Sequence, residues 1–113
     1  MGNTGTRLTC KIWNNKKNRT SKARVEISST VHIRQMSGTK TTFFPKIEIK
    51  YRNQKNQGVI LYCEKHVRFE KKSEAQEDAD FDLNYAFTYS NRKDGAVELT
   101  SFITILKKFG YIT

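Results

Sequence analysis

The sequence predicts a mainly β, α+β fold: a curved antiparallel sheet of five to six strands, or a small open barrel, with one C-terminal amphipathic helix. Three observations carry this expectation. Five segments alternate apolar and polar residues, turn-type residues separate them, and the final segment changes to a spacing of three and four. With 113 residues, 36% of them hydrophobic, the chain reads as one domain able to bury a single core. Residues 1–5 are expected to be flexible, residues 6–90 to form the sheet, and residues 96–109 to form the helix.

The first run sets Leu8, Cys10 and Ile12 against Arg7, Thr9, Lys11 and Trp13. In the second, Val25, Ile27, Val31 and Ile33 alternate with Arg24, Glu26, Ser28, Thr30, His32 and Arg34. The third opposes Phe43, Ile47, Ile49 and Tyr51 to Phe44, Lys46, Glu48, Lys50 and Arg52. Pro45 lacks an N–H, which predicts an edge position or a bend for this strand. The fourth places Val59, Leu61, Cys63, Val67 and Phe69 opposite Ile60, Tyr62, Glu64, His66 and Arg68. The fifth places Phe81, Leu83, Tyr85, Phe87 and Tyr89 opposite Asp82, Asn84, Ala86, Thr88 and Ser90. Between them lie Asn14–Lys22, Gln35–Thr41 and Asn53–Gly58, with Asn91–Gly95 following, a pattern suited to antiparallel hairpins with one dry face. Ser73 and Gln76 have capping-box spacing, which suggests one helical turn in an otherwise solvated acidic loop over residues 74–82. Leu99, Phe102, Ile103, Leu106 and Phe109 then form one helical stripe, with Lys107 and Lys108 at its end and Gly110 placed to terminate it.

Charge is distributed unevenly along this frame. Residues 1–72 carry 17 Lys/Arg against four acids, whereas residues 73–113 carry four against seven. The net charge of +10 surrounds a small fold with a positive potential that draws polyanions. No apolar run approaches the roughly 18–20 residues of a membrane helix, and no secretory signal is visible at the start. Intracellular residence, in cytoplasm or nucleus, is therefore expected. Cys10 and Cys63 have neither disulfide-scaffold nor metal-ligand spacing and are expected to be reduced packing residues. No cofactor or metal is expected.

The polar sides of the first four strands combine cations with aromatic rings that alternation sends to water. The candidate binding residues are Arg7, Lys11, Trp13, Arg24, Arg34, Phe44, Lys46, Lys50, Arg52, Tyr62 and Arg68, joined by Lys16, Lys17, Arg19 and Lys22 from the first hairpin loop. Unpaired polynucleotides need this combination. Cations neutralise phosphates and release counterions, while flat rings stack on bases with little sequence preference. The expected function is thus non-enzymatic binding of single-stranded RNA or DNA, with low sequence selectivity. Off the main helical stripe, Ile105 and Tyr111 add a second apolar surface. Together with Phe102, Leu106 and Phe109 they suggest a homodimer formed through the C-terminal helix.

Three alternatives stand beside this reading. Met1-Gly2-Asn3-Thr4-Gly5-Thr6 fits the N-myristoylation pattern, so Gly2 and the following cations suggest attachment to an acidic membrane surface. His32 and His66 suggest, more weakly, a metal-free ribonuclease in which they act as acid and base. The plainest alternative is a structural or interaction protein without nucleic acid, its charges merely solvated and Phe44 and Tyr62 buried against another surface.

Overall fold

A computed structural model describes residues 5–35, 38 and 40–113. Four long strands run as a meander: β1 Arg7–Asn14, β2 Arg19–Gln35, β3 Thr41–Arg52 and β4 Gly58–Lys65. Two helices follow, α1 Lys72–Ser90 and α2 Leu99–Lys108, separated by a 3-10 turn at Lys93–Gly95; a short β5, Tyr111–Ile112, ends the chain. The sheet is open and fully antiparallel, in the order β1-β2-β3-β4-β5.

Registers bear out the predicted alternation in the central parts of the first four strands; it breaks at Trp13, leaves Ile33 exposed, and the fourth run ends at Lys65, short of Val67 and Phe69. Leu8 lies opposite Ile27, Ile27 opposite Ile49 and Ile49 opposite Leu61, which gives one continuous apolar row. Val25, Ile27, Ile47, Ile49 and Cys63 on this face are buried beneath Leu83 and Ala86 of α1 and Phe102 and Leu106 of α2. Pro45 does not make β3 an edge: β3 lies between β2 and β4. Phe43 donates its N–H to Phe69 on the β4 side, so the ring nitrogen of Pro45 faces that side too. The β3–β4 ladder stops at Lys46 and Glu64, so no donor is required there.

The fifth predicted strand is instead the second half of α1. Ala75, Gln76, Ala79, Asp82, Leu83, Ala86 and Ser90 turn inward at helical spacing, while Phe81, Tyr85 and Tyr89 form a second stripe outside. Two interleaved stripes, one small or polar and one aromatic, read as strict alternation when laid out linearly. The polarity test misleads here because Asp82 is buried and Phe81 is not. The expected acidic loop over residues 74–82 is likewise the first half of this helix. Its cap differs as well, since Lys71 precedes the helix without a side-chain cap and Gln76 reaches Ser29 and Asp80. The fifth strand is therefore β5, and two helices rather than one cover the sheet. The predicted C-terminal helix does form, over a shorter span, and Gly110 ends it with φ +101° in the region glycine tolerates best.

Two polar networks fasten α1 to the sheet. The Lys65 ammonium donates to Asp78 at 2.7 Å and to Asp82 at 3.0 Å, and the Tyr111 hydroxyl donates to Asp82 at 2.9 Å. Burial pushes the Asp82 carboxyl above its ordinary value, and the bonds from Lys65 and Tyr111 only partly offset this. Burial opposes the charge on Lys65 as well, but its two carboxylate partners outweigh it and hold the ammonium protonated. Near the N-terminus the Thr6 N–H donates to Ser29 Oγ at 2.8 Å and to Asp80 Oδ1 at 3.1 Å, while the Ser29 hydroxyl donates to Asp80. Gly5, expected to be flexible, is packed so closely on Ser29 and Gln76 that a Cβ has no room. Both cysteines are free, in strands three spacings apart, about 14 Å against the roughly 7 Å that a disulfide spans. Among the described residues no helix is long and apolar enough to cross a membrane.

Candidate functional site

The helices cover one face of the sheet, and among the described residues the other carries no secondary-structure element. Its cross-strand rows follow from the registers: Arg7, Ser28, Glu48 and Tyr62; then Thr9, Glu26, Lys50 and Ile60; then Thr30, Lys46 and Glu64. Lys11 lies opposite Arg24, a like-charge pair that disfavours strand association. Arg7, Lys11, Arg24, Lys50 and Arg52 are exposed, and none has an ion-pair partner among the described residues. Tyr62 is 53% exposed, with the Lys46 ammonium 4.7 Å from its ring centre. Exposed Ile60 occupies the next row, so an aromatic and an aliphatic side chain break the polar surface among the cations.

Phe44 is on this face but only 8% exposed. The Arg34 guanidinium is 5.1 Å from its ring centre, and the His32 ring meets it edge-on at 6.4 Å. Arg34, Glu64, His66 and Arg68 line a cavity of about 410 Å³ around it. Both histidines thus border Phe44, and His32 Nδ1 lies 3.7 Å from the Glu64 carboxylate. The available flat surface is that of Arg34 rather than the phenyl ring beneath.

Trp13 takes a different position. A register shift between Lys11 and Trp13 breaks the β1–β2 alternation, and the Trp13 N–H donates to Val97 O at 2.8 Å. Its side chain lines a groove of about 560 Å³ with Lys16, Tyr51, Arg52, Gln54 and Leu99. An adjoining groove of about 660 Å³ is lined by Arg24, Lys50, Arg52, Asn53, Asn56 and Ile60, and the two share Ala23, Tyr51, Arg52, Asn53 and Gln54. Together they wrap the β3–β4 turn and join the open face to the Trp13 ring.

The predicted site residues therefore separate into three zones. Arg7, Lys11, Arg24, Lys46, Lys50, Arg52 and Tyr62 meet on the open face. Arg34, Phe44 and Arg68 meet at its far end. Trp13 and Lys16 lie in the groove at the near end, where Lys17, Arg19 and Lys22 belong to the same first hairpin. The rings do not share one plane, contrary to what alternation implies. Alternation placed Ile60 on the wet side, and its apolar character was the available signal. Tyr51, Asn53 and Gln54 had none, because their place in the groove depends on how the turn packs. Gly2 lies outside the described residues. Of the five residues expected to mediate self-association, Phe102, Leu106 and Tyr111 are buried in the protein's own core, while Ile105 and Phe109 are partly covered. Comparison with protein-family models, with curated proteins and with solved structures gives no match.

Proposed function

We propose that this protein binds single-stranded RNA or DNA across the open sheet face, with little sequence selectivity and without turnover. One observation carries the reading: among the described residues, five exposed cations with no carboxylate within ion-pair distance share the face away from the helices with exposed Tyr62 and Ile60. Uncompensated like charges weaken the sheet, and such rule-breaking marks surfaces shaped by something other than folding. Phosphates offset that repulsion, and bases stack on Tyr62 and on the Arg34 plane. From Phe44 to Arg52 β3 spans about 26 Å, room for a short single-stranded site that continues around the turn to Trp13.

Fluorescence anisotropy with labelled homopolymer oligonucleotides across a salt series tests this. Affinity is expected to fall steeply with salt. Tyr62→Ala is expected to lose about 1–3 kcal/mol, roughly 5- to 150-fold, on single strands and much less on duplex. Equal losses on both substrates overturn the stacking role, and salt-independent binding overturns the phosphate role. Binding to anionic vesicles with none to oligonucleotides transfers the face to an acidic membrane surface. Cleavage of the RNA probe that His32→Ala abolishes makes the protein a nuclease.

A further inference from the structure

The outer surface of α1 carries a row of rings that the fold does not use. Phe81, Tyr85 and Tyr89, spaced by four, are 64%, 42% and 64% exposed. Their ring centres lie 6.3 Å and 4.5 Å apart in sequence, and Phe109 from the end of α2 meets Tyr85 edge-on at 5.3 Å. The core closes beneath them through Ala75, Ala79, Leu83 and Ala86, so the rings do not seal it. The row spans about 12 Å of helix, and contiguous exposed apolar patches of this kind mark interaction surfaces.

Charge identifies the occupant. Exposed Glu74 and Glu77 flank the row at its N-terminal end, and exposed Lys93 follows just past its C-terminal end. A polyanion would be repelled at the first end, and a polycation at the second. A surface whose sign inverts about its midpoint, Tyr85, complements a copy of itself turned end for end.

We propose that two copies of this chain associate through α1, antiparallel about a two-fold axis near Tyr85. Phe81 of one copy then packs beside Tyr89 of the other, and Glu77 of one faces Lys93 of the other, twice over by symmetry. On about 200 Å² for a whole ring, the exposed parts of Phe81, Tyr85 and Tyr89 come to about 340 Å² per copy. Twice that area is below the standard size of a specific interface, so the dimer is weak and reversible. Since α1 packs on the helix-covered side of the sheet, both open faces point outward and remain free.

Sedimentation velocity of the full chain, from about 1 to about 500 μM, is expected to show a monomer–dimer equilibrium in that range. Tyr85→Glu and, separately, Phe81→Ser are each expected to raise the dimer Kd roughly tenfold or more. Phe81 is the more exposed of the two, and its variant keeps the monomer's thermal unfolding unchanged. Glu77→Lys or Lys93→Glu alone weakens the dimer, and the two together restore it. A chain that stays monomeric throughout overturns the proposal. So does a dimer indifferent to both ring variants, a double swap no tighter than either single, or open-ended growth beyond the dimer.

Discussion

The two faces of the sheet come from the same strands and the same alternation, yet they follow opposite rules. On the covered face Ile27, Ile47, Ile49 and Cys63 are fully buried under two helices. On the open face Lys11 lies against Arg24, and Ile60 and Tyr62 lie in water. The first arrangement lowers the free energy of folding; the second raises it. What distinguishes a fold-building surface from a ligand-seeking one is therefore not hydrophobicity alone but whether its charges and rings already have partners. That contrast fails if both faces respond alike to substitution.

The sharpest separation is expected from paired truncations. Ile47→Ala on the covered face opens a cavity beneath α1 and is expected to cost about 2–5 kcal/mol in urea unfolding. Tyr62→Ala, opposite Glu48 on the open face, is expected to change stability by no more than about 0.5 kcal/mol. Similar losses from the two would mean that another chain or segment normally covers the open face. Next in size is Lys65→Met, expected to cost about 3 kcal/mol because it leaves the buried Asp82 carboxylate without its cation. Guanidinium melts at neutral pH measure this, and an unchanged midpoint would show that Tyr111 alone suffices for Asp82.

The covered face should also be visible in alkaline titration. Burial lifts the Cys63 thiol from 9.0 to about 11, with Lys107 only partly opposing it. The folded state then keeps a proton that the unfolded chain releases, so the contribution is complete below about pH 8.5. It declines as pH rises toward 11, by about 2–3 kcal/mol. Lys65 and Tyr111, both raised, extend the loss above that range. Cys63→Ala is expected to flatten the first part of the decline in pH-dependent melts. A slope unchanged by that variant would assign the loss to Cys10, which burial also raises, and to Lys65 and Tyr111.

Four strands were legible because Leu8, Ile27 and Ile49 alternate with polar neighbours on a sheet covered on one face only, while Leu61 lies between Ile60 and Tyr62 and was placed by the run around it. α2 was legible because Phe102 and Leu106 belong to a stripe made wholly of large apolar side chains. α1 was not, since its inward face holds Gln76, Asp82 and Ser90, whose burial depends on partners in distant segments. Sequence spacing cannot anticipate that Lys65, 17 residues earlier, supplies the charge that lets Asp82 turn inward. The cations of the candidate site were readable one strand at a time. Their grouping was readable only as far as the register held. It ended at the shift beyond Lys11, which takes Trp13 out of the plane, and at Phe44, which Arg34 and His32 cover.

The smallest expected effect tests the open face most directly. Lys50 and Arg24 are both exposed, and both line the groove beside the β3–β4 turn. Neither bears on the core, so Lys50→Gln should leave the urea midpoint unchanged. If each neutralises one phosphate, removing one charge lowers the slope of log affinity against log salt by about 0.7 for a single strand. The double variant Lys50→Gln/Arg24→Gln should then lower it by about 1.4. Glu26→Gln, directly across the strand pair from Lys50, supplies the opposite sign: deleting a carboxylate should tighten binding slightly at low salt and make no difference at high salt, where screening is complete. Slopes that ignore Lys50 and Arg24 but respond to Lys107 or Lys108, at the end of α2, would move the anion to the helical side. In that event the uncompensated cations of the sheet would need a different partner.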